Sequence, residues 1–319
     1  MSTLEVRRYD GDPRVWDDFV EGANNGTIFH RLSYLAHRRA DLAGKDHHLA
    51  WWAGDTLRAV MPLAILTEGG IRVARSPYGA SYGGLVVGEL SLKLAEELVE
   101  SLLDQLRGQG VQKLVIVPPP WINFARPHDY LNFWLLKNGA ACPASELTSY
   151  IEVREEPLES FTHSAVKAVR KAKASDVVVE ESRDIEAFYE ILAENRRKFG
   201  VTPTHTLEEV RWLLRELPEH VKLFMARREG TPIAGSLVFR VNRRVILDFY
   251  WAHLDQHQGY RPINLLVYEI TRWAHRNGFR IFDFGTQTID MVPVEGSTKF
   301  KETFGAVGVF RRTYELRLA

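Results

Sequence analysis

The same succession of predicted strands and helices occurs twice along this chain, and this repeat limits the folds that the chain can adopt. Each copy has two apolar strand segments joined by a turn, then an amphipathic helix that ends at a glycine, then a short buried strand. The first copy covers residues 51–63, a helix ending at Gly110 and residues 111–117; the second covers residues 226–239, a helix ending at Gly278 and residues 279–284. A repeat of this length indicates two copies of one supersecondary unit.

Strand and helix patterns alternate through both halves, which is typical of an α/β protein. The repeat predicts two similar domains side by side, residues 1–156 and residues 157–319, with a junction in the charged stretch 152–160. A length of 319 residues agrees with two domains of about 100–200 residues each. We therefore expect two superposable domains with mixed sheets.

The composition is that of a chain with substantial hydrophobic cores, since 45% of its residues are hydrophobic and eight are tryptophan. Fibrous, collagen-like and wholly disordered proteins are excluded. No apolar run reaches the ~18 residues of a membrane helix, so no membrane span is expected. The charged N-terminus lacks a signal-peptide core, and the single cysteine, Cys142, cannot form an internal disulfide. Both features predict a cytoplasmic protein.

The net charge is zero, but the two halves differ. Residues 1–156 carry 16 Lys/Arg and 20 Asp/Glu, a net charge of −4, whereas residues 157–319 carry 25 and 21, a net charge of +4. Non-specific binding to nucleic acid through bulk charge is therefore not expected. Local contact of the second half with a phosphate-bearing partner remains open.

Several segments of the second half resemble the Fem-like (FemABX-type) branch of the GNAT acyltransferases. The strongest match is residues 300–306, FKETFGA, which is similar to the FK-x-x-FG segment of that family. Residues 259–266 and 273–285 also match, as do the basic stretch 163–174 and residues 26–30 near the N-terminus. Together these segments extend over most of the chain.

The resemblance implies tandem GNAT-like domains with a cleft, and transfer of an acyl or aminoacyl group to an amine. Fem-type members take the group from aminoacyl-tRNA, and other members of the superfamily use acyl-CoA. We therefore expect the acceptor end of aminoacyl-tRNA as a local partner and donor, and an amine-bearing small molecule or peptide as acceptor. No permanently bound cofactor is expected, and acyl-CoA remains the alternative donor. A GNAT-like binding protein without catalysis also remains open.

GNAT enzymes hold the CoA pyrophosphate on backbone N–H groups that precede a helix, where the helix dipole favours negative charge. The resemblance assigns this role to Gly259, Tyr260 and Arg261, with Asn264 at the start of the helix. Arg261 is bulky where the family has a small residue, and Pro262 has no N–H. These departures predict weak binding of acyl-CoA and favour aminoacyl-tRNA.

Acyl transfer to an amine passes through a tetrahedral oxyanion, which a cation in a dry site can stabilise. The resemblance makes Lys301 the leading candidate, with Phe300 and Phe304 anchoring its short helix beside the cleft. The alternative is an exposed surface lysine next to Lys299.

Carboxylates within apolar strands are candidate proton acceptors, because desolvation raises their pKa. Asp283 lies in such a strand, and simple alternation places it on one face with Ile281 and Gly285. The same counting places Asp248 and Tyr250 on one face of the neighbouring strand. Structural hydrogen bonding is the alternative for each of them.

Two further groups are candidate substrate contacts. Lys167, Arg170 and Lys171 lie on the basic helix and could contact phosphates, unless they form an ordinary solvated face. Tyr78 and Tyr82 flank a glycine-rich segment, GASYG, and could line a cleft.

Three other chemistries are not favoured. The GASYG segment lacks the strand–turn–helix context of a serine nucleophile. His253 and His257 lack further ligands for a metal, and Cys142 has no nearby base.

Overall fold

A computed structural model describes residues 4–37, 44–198 and 200–318. The chain divides into two compact units, Met1–Glu146 with Phe310–Ala319, and Leu147–Val309. The sequence repeat instead predicts a boundary after residue 156, with the C-terminal strand in the second domain. The difference arises because residues 314–317 pair with residues 113–116 of the first unit. A pairing between segments so far apart leaves no local signal in the sequence.

The helices and strands follow in chain order. From the N-terminus to the strand that contains the first unit boundary, β8, they are β1 (Leu4–Arg8), α1 (Pro13–Gly22), α2 (Leu32–Leu35), β2 (Leu49–Ala53), β3 (Thr56–Met61), β4 (Ala64–Glu68), β5 (Ile71–Ser76), β6 (Val86–Val87), α3 (Leu92–Gly108), β7 (Lys113–Ile116), α4 (Tyr130–Lys137) and β8 (Ala141–Glu152). After it they are α5 (His163–Ala174), β9 (Val177–Ser182), α6 (Ile185–Arg197), α7 (Leu207–Glu216), β10 (Val221–Arg228), β11 (Thr231–Arg240), β12 (Val245–His253), α8 (Pro262–Arg276), β13 (Ile281–Thr286), β14 (Thr288–Ile289), β15 (Val292–Pro293), α9 (Glu295–Glu302) and β16 (Val307–Arg317).

The first unit has an antiparallel sheet in the order β1-β2-β3-β6. A mixed arrangement follows, in which β4 pairs antiparallel with β5, β5 pairs parallel with β7, and β7 pairs antiparallel with the end of β16. Helix α3 packs into the core of this unit through Leu98, Leu102 and Leu106, which share one face at helical spacing. The predicted amphipathic helix before Gly110 is confirmed.

The second unit is built on a mixed sheet that runs β8-β13-β12-β11-β10-β9. Within it β12 and β13 are parallel, while the other neighbours are antiparallel. Helices α5 and α8 pack with one face of the strands in a common core that includes Val169, Ile270 and Phe282. The predicted basic helix and the helix ending at Gly278 are therefore amphipathic helices that bury their apolar sides.

Helix α7 begins with a capping box. The Thr206 hydroxyl accepts from the backbone N–H of Glu209 at 3.2 Å, and the Glu209 carboxylate accepts from the backbone N–H of Thr206 at 2.7 Å. This reciprocal pair satisfies two backbone donors that a helix start leaves open.

Helix α6 packs closely against the opposite side of β11, and Gly235 permits this contact. A Cβ at Gly235 would lie 2.5 Å from Cδ2 of Phe188 and 2.7 Å from Sδ of Met225. Phe188 and Met225 are fully buried and cannot move into solvent.

We expect Gly235→Ala to lower the free energy of unfolding by about 1–3 kcal/mol, because an added methyl overpacks the core. Denaturant titration of the wild type and the variant measures this loss of stability. Gly108→Ala is the matched control, since a Cβ there meets nothing within 4 Å. Equal stabilities of the two variants would contradict this packing.

Candidate active site

Lys301 is buried in the second unit and is not a surface lysine. Only 3% of the residue is exposed. Its Nζ donates to the carbonyl oxygens of Gly285 at 3.1 Å and Thr286 at 2.7 Å. A buried ammonium requires such acceptors, because it has lost its water. The alternative of an exposed surface lysine is therefore wrong.

The residues around Lys301 hold helix α9 on the core. The Phe304 ring is fully buried and lies 5.0 Å from the rings of both Phe300 and Phe161. Gly305 has φ +82, and a Cβ on it would lie 2.7 Å from the carbonyl oxygen of Ser160. The glycine of the FK-x-x-FG segment is thus required twice, by its backbone conformation and by this close approach. The predicted anchoring by Phe300 and Phe304 is confirmed.

Asp248 is a second buried ionisable group, with 7% of the residue exposed. Its Oδ1 accepts from the Ser236 hydroxyl at 2.9 Å. Its Oδ2 has no hydrogen-bond partner within the described part of the chain. A buried carboxylate oxygen without a donor favours the protonated form, and burial raises the pKa of Asp248 to about 7.

Asp248 and Lys301 influence each other's titration. Burial lowers the pKa of Lys301 to about 8, and the charges of Asp283 and Asp248 oppose that fall. The positive charge of Lys301 likewise opposes the rise in the pKa of Asp248. Near neutral pH the site therefore holds a charged lysine beside a carboxyl group that readily gains or loses a proton.

Asp283 is fully buried, and its carboxylate accepts hydrogen bonds from its own strand and from the neighbouring strand β8. Its Oδ1 accepts from the Thr148 hydroxyl at 2.7 Å and from the backbone N–H of Gly285 at 2.7 Å. Strand β13 also has a register shift between Asp283 and Thr286, and Gly285 has φ +71. Regular alternation, which placed Asp283 and Gly285 on one face, therefore does not hold across this segment.

Tyr250 does not share a face with Asp248, so that expectation is wrong. Leu237 pairs with Tyr250 and the next residue, Val238, pairs with Asp248, which leaves Phe249 as the extra residue of a β-bulge. Tyr250 instead accepts a hydrogen bond from the backbone N–H of His205 at 3.1 Å. Burial raises the pKa of its hydroxyl.

The bulge brings Trp251 to the side of Asp248. The Trp251 ring lies 5.5 Å from that of Phe300 and 6.0 Å from Nζ of Lys301. Trp251 and Phe300 are among the residues that line a cleft of about 350 Å³ in the second unit. Its remaining lining residues are His253, Gln258, Arg261, Pro262, Ile263, Asn264, Gly296 and Ser297.

The residues that were predicted to bind the acyl donor fall into two groups. Arg261 and Asn264 line the cleft, and Asn264 is buried. Gly259 and Tyr260 lie in a 3₁₀ helix, Asp255–Tyr260, and are not among the lining residues. The segment before α8 is therefore helical rather than an open loop. The backbone N–H of Arg261 donates to the carbonyl oxygen of Gln258 at 3.0 Å.

The remaining predicted contacts lie on α5 and in the first unit. Lys167, Arg170 and Lys171 are exposed on α5. In the first unit, Tyr82 is buried against Phe29, with their rings 5.4 Å apart. Tyr78 and Tyr82 line a cavity of only about 10 Å³, which is too small for a substrate. Across the described residues no set of three His, Cys, Asp or Glu could hold a metal ion.

Sequence reasoning missed Ser236 and Thr148, which hold the two carboxylates. Each is a single hydroxyl residue in a strand, and nothing local indicates that its partner lies on another strand. Trp251 was also missed, because alternation without the bulge places it away from Asp248. A lone buried hydroxyl in the apolar run of β11 is the one signal that could have pointed to Ser236.

One family of known proteins matches the part of the chain that forms the second unit. Residues 160–302 match the family model of the acetyltransferase (GNAT) domain. No curated protein sequence matches the chain. Within the described residues, no helix has the length and apolar character needed to cross a membrane.

Solved structures show the same fold over nearly the whole chain. FemX matches with a TM-score of 0.76 and 14% identity over 98% of this chain and 97% of its own. L-PGS from Bacillus licheniformis matches with a TM-score of 0.60 and 13% identity over 98% and 93%. A tandem GNAT protein from the clavulanic acid biosynthesis pathway matches with a TM-score of 0.57 and 13% identity over 99% of both chains. The predicted tandem GNAT-like fold with mixed sheets is thereby confirmed.

The raised pKa of Asp248 predicts a pH-dependent effect of Asp248→Asn on stability. Native Asp248 binds its proton more tightly than an unfolded aspartate, so the wild type loses stability as pH rises from about 4 to about 7. Asparagine cannot ionise and avoids this loss. We expect the variant to gain on the order of 2–4 kcal/mol relative to wild type between pH 4.5 and pH 8.

Denaturant titration at both pH values measures this gain. Asp184→Asn serves as the control, because Arg227 lowers the pKa of Asp184 and this carboxyl is therefore ionised in both the folded and the unfolded protein over the same pH range. Its replacement should change stability by nearly the same amount at both pH values. A pH-independent difference for Asp248→Asn would contradict the buried-carboxyl assignment.

Proposed function

We propose that this chain, a GNAT acyltransferase with the tandem fold of the Fem-like branch, transfers an aminoacyl group from aminoacyl-tRNA to an amine. The observation that carries the proposal is the buried ammonium of Lys301, which lies 6.0 Å from the Trp251 ring that lines the cleft and interacts electrostatically with Asp248. A desolvated cation stabilises developing negative charge far more strongly than one in water.

The reaction follows from these two groups. The amine nitrogen attacks the carbonyl carbon of the aminoacyl ester, a C–N bond forms, and the carbonyl electron pair moves to oxygen. Lys301 stabilises this oxyanion. The C–O bond to the ribose then breaks, and the proton that the amine loses passes through Asp248 to the leaving oxygen. An amide and a free ribose hydroxyl result.

Two features support aminoacyl-tRNA as the donor. The segment before α8 is a 3₁₀ helix followed by Pro262, so it offers few free backbone N–H groups for a pyrophosphate. Lys167, Arg170 and Lys171 are exposed on α5 and could contact tRNA phosphates. The acceptor is then an amine-bearing small molecule or peptide.

Acyl-CoA is the second candidate donor. The observation in its favour is the match of residues 160–302 to an acetyltransferase domain, whose cleft lies at the start of α8. Lys301 and Asp248 would serve the same chemistry with a thioester.

We expect the rate of transfer to rise with pH through about 7, as Asp248 becomes a carboxylate, and to fall through about 8, as Lys301 loses its proton. Replacing Lys301 by Met removes the cation and should lower kcat by roughly 10²–10³-fold. Steady-state rates between pH 5.5 and pH 9.5 test both expectations.

Lys299→Met is the matched control, because Lys299 lies on the same helix and is exposed, with its Nζ 3.5 Å from Glu295. It should leave kcat unchanged. Thermal unfolding separates loss of the fold from loss of chemistry. Normal turnover by a folded Lys301→Met protein would rule out the oxyanion role.

Donor choice is tested by measuring binding of a mixture of aminoacylated tRNAs and of acetyl-CoA in one buffer. We expect tRNA to bind more tightly and its affinity to fall with salt. The triple variant of Lys167, Arg170 and Lys171 to Ala should reduce the slope of log affinity against log salt by about 2–3.

A control triple variant replaces three exposed arginines elsewhere in the second unit by Ala: Arg197, Arg215 and Arg276. It should leave the slope unchanged. Micromolar binding of acetyl-CoA, with turnover, would instead select acyl-CoA as the donor.

A further inference from the structure

The segment that accepts the Lys301 ammonium is a β-bulge. Strand β13 pairs Asp283 with Tyr150 and Thr286 with Thr148, so Phe284 and Gly285 together face a single residue of β8. Gly285 has φ +71, the left-handed region that a glycine adopts at little cost. Bulges of this kind redirect backbone and side chains near functional sites.

The bulge explains how one ammonium reaches two consecutive carbonyls. In a regular strand, neighbouring carbonyls point to opposite sides, so one Nζ cannot donate to both. Here the carbonyls of Gly285 and Thr286 both contact Lys301 Nζ, at 3.1 Å and 2.7 Å. The left-handed turn at Gly285 is what brings them to the same side.

Asp283 stabilises this turn from within. Its Oδ1 accepts the N–H of Gly285 at 2.7 Å, two residues along the chain, and the Thr148 hydroxyl at 2.7 Å. Thr148 is itself the strand partner of Thr286. The side chain is fully buried, so it cannot contact a substrate in the cleft.

We propose that Asp283 is a positioning residue that, held by Thr148, fixes the bulge at Gly285 and so turns two carbonyls onto the Lys301 ammonium. This inference rests on the proposed function, because it assigns Asp283 to Lys301 rather than to proton transfer. It differs from the reading of Asp283 as a general base.

Charge adds to the effect of geometry. Two carboxyl groups face Lys301 from the strands, Asp283 on β13 and Asp248 on β12, and both oppose the fall in its pKa. On its own helix, Lys299 and Glu302 are exposed. Removing the charge of Asp283 should therefore lower the pKa of Lys301 further.

The test uses Asp283→Asn and Thr148→Val in the full chain. For Asp283→Asn we expect the alkaline limb of the pH–rate profile to move down by about one pH unit, with kcat near pH 7 within about tenfold of wild type. For Thr148→Val, which keeps the carboxylate, we expect a smaller shift in the same direction and an unchanged KM.

A second measurement does not depend on turnover. The Lys301 ammonium is titrated by ¹⁵N NMR of the lysine side chains, with its signal assigned by its absence in Lys301→Met. Its midpoint should fall in both variants and recover in Thr148→Ser, which keeps the hydroxyl. Thr271→Val is the matched control, because the buried Thr271 hydroxyl donates to Val267 O within α8.

The outcomes separate the two proposals. A shifted titration without turnover on any donor would retain the positioning role and reject the proposed function. An unshifted titration in folded Asp283→Asn would overturn the positioning role. If that variant also lost more than about 100-fold of kcat at every pH, Asp283 would be the proton acceptor instead.

Discussion

A lysine ammonium can be buried only where carbonyl oxygens and carboxylates replace the water it has lost. In this protein that requirement applies to Lys301, and the second unit supplies two carbonyls and the charges of Asp248 and Asp283. Two neighbouring strands depart from regular pairing at this point, β12 at Phe249 and β13 at Gly285. These two bulges set the side chains and carbonyls that surround the ammonium.

The FK-x-x-FG segment shows how the core holds this charge in place. The rings of Phe300 and Phe304 pack against each other with centroids 5.0 Å apart, and Gly305 approaches the backbone of Ser160 where no larger residue fits. The segment therefore combines two aromatic side chains that pack in the core, one buried ammonium and one glycine with a left-handed backbone conformation. Because the aromatic rings exclude water, the charge also acts in a medium where electrostatic interactions are strong.

Burial brings the two titrating groups of the site close together in pKa. The pKa of Asp248 rises to about 7 and the pKa of Lys301 falls to about 8, so both groups change protonation state near neutral pH. Such tuning is the pattern expected where proton transfer and charge stabilisation occur together. It costs folding stability, which the surrounding core of aromatic and aliphatic residues offsets.

Local patterns in the sequence determined the α/β class, the amphipathic helices before Gly110 and Gly278, and the basic helix over residues 163–174. Lys301 was singled out by the family resemblance, and its catalytic role is a proposal. Periodicity and capping depend on neighbours in the chain, so a single sequence carries them. The unit boundary, the separation of Tyr250 from Asp248 and the hydrogen bonds of Asp283 were decided by the tertiary structure alone. Each depends on the register of a strand against a partner distant in sequence, and one extra residue in a bulge reverses every face that follows it.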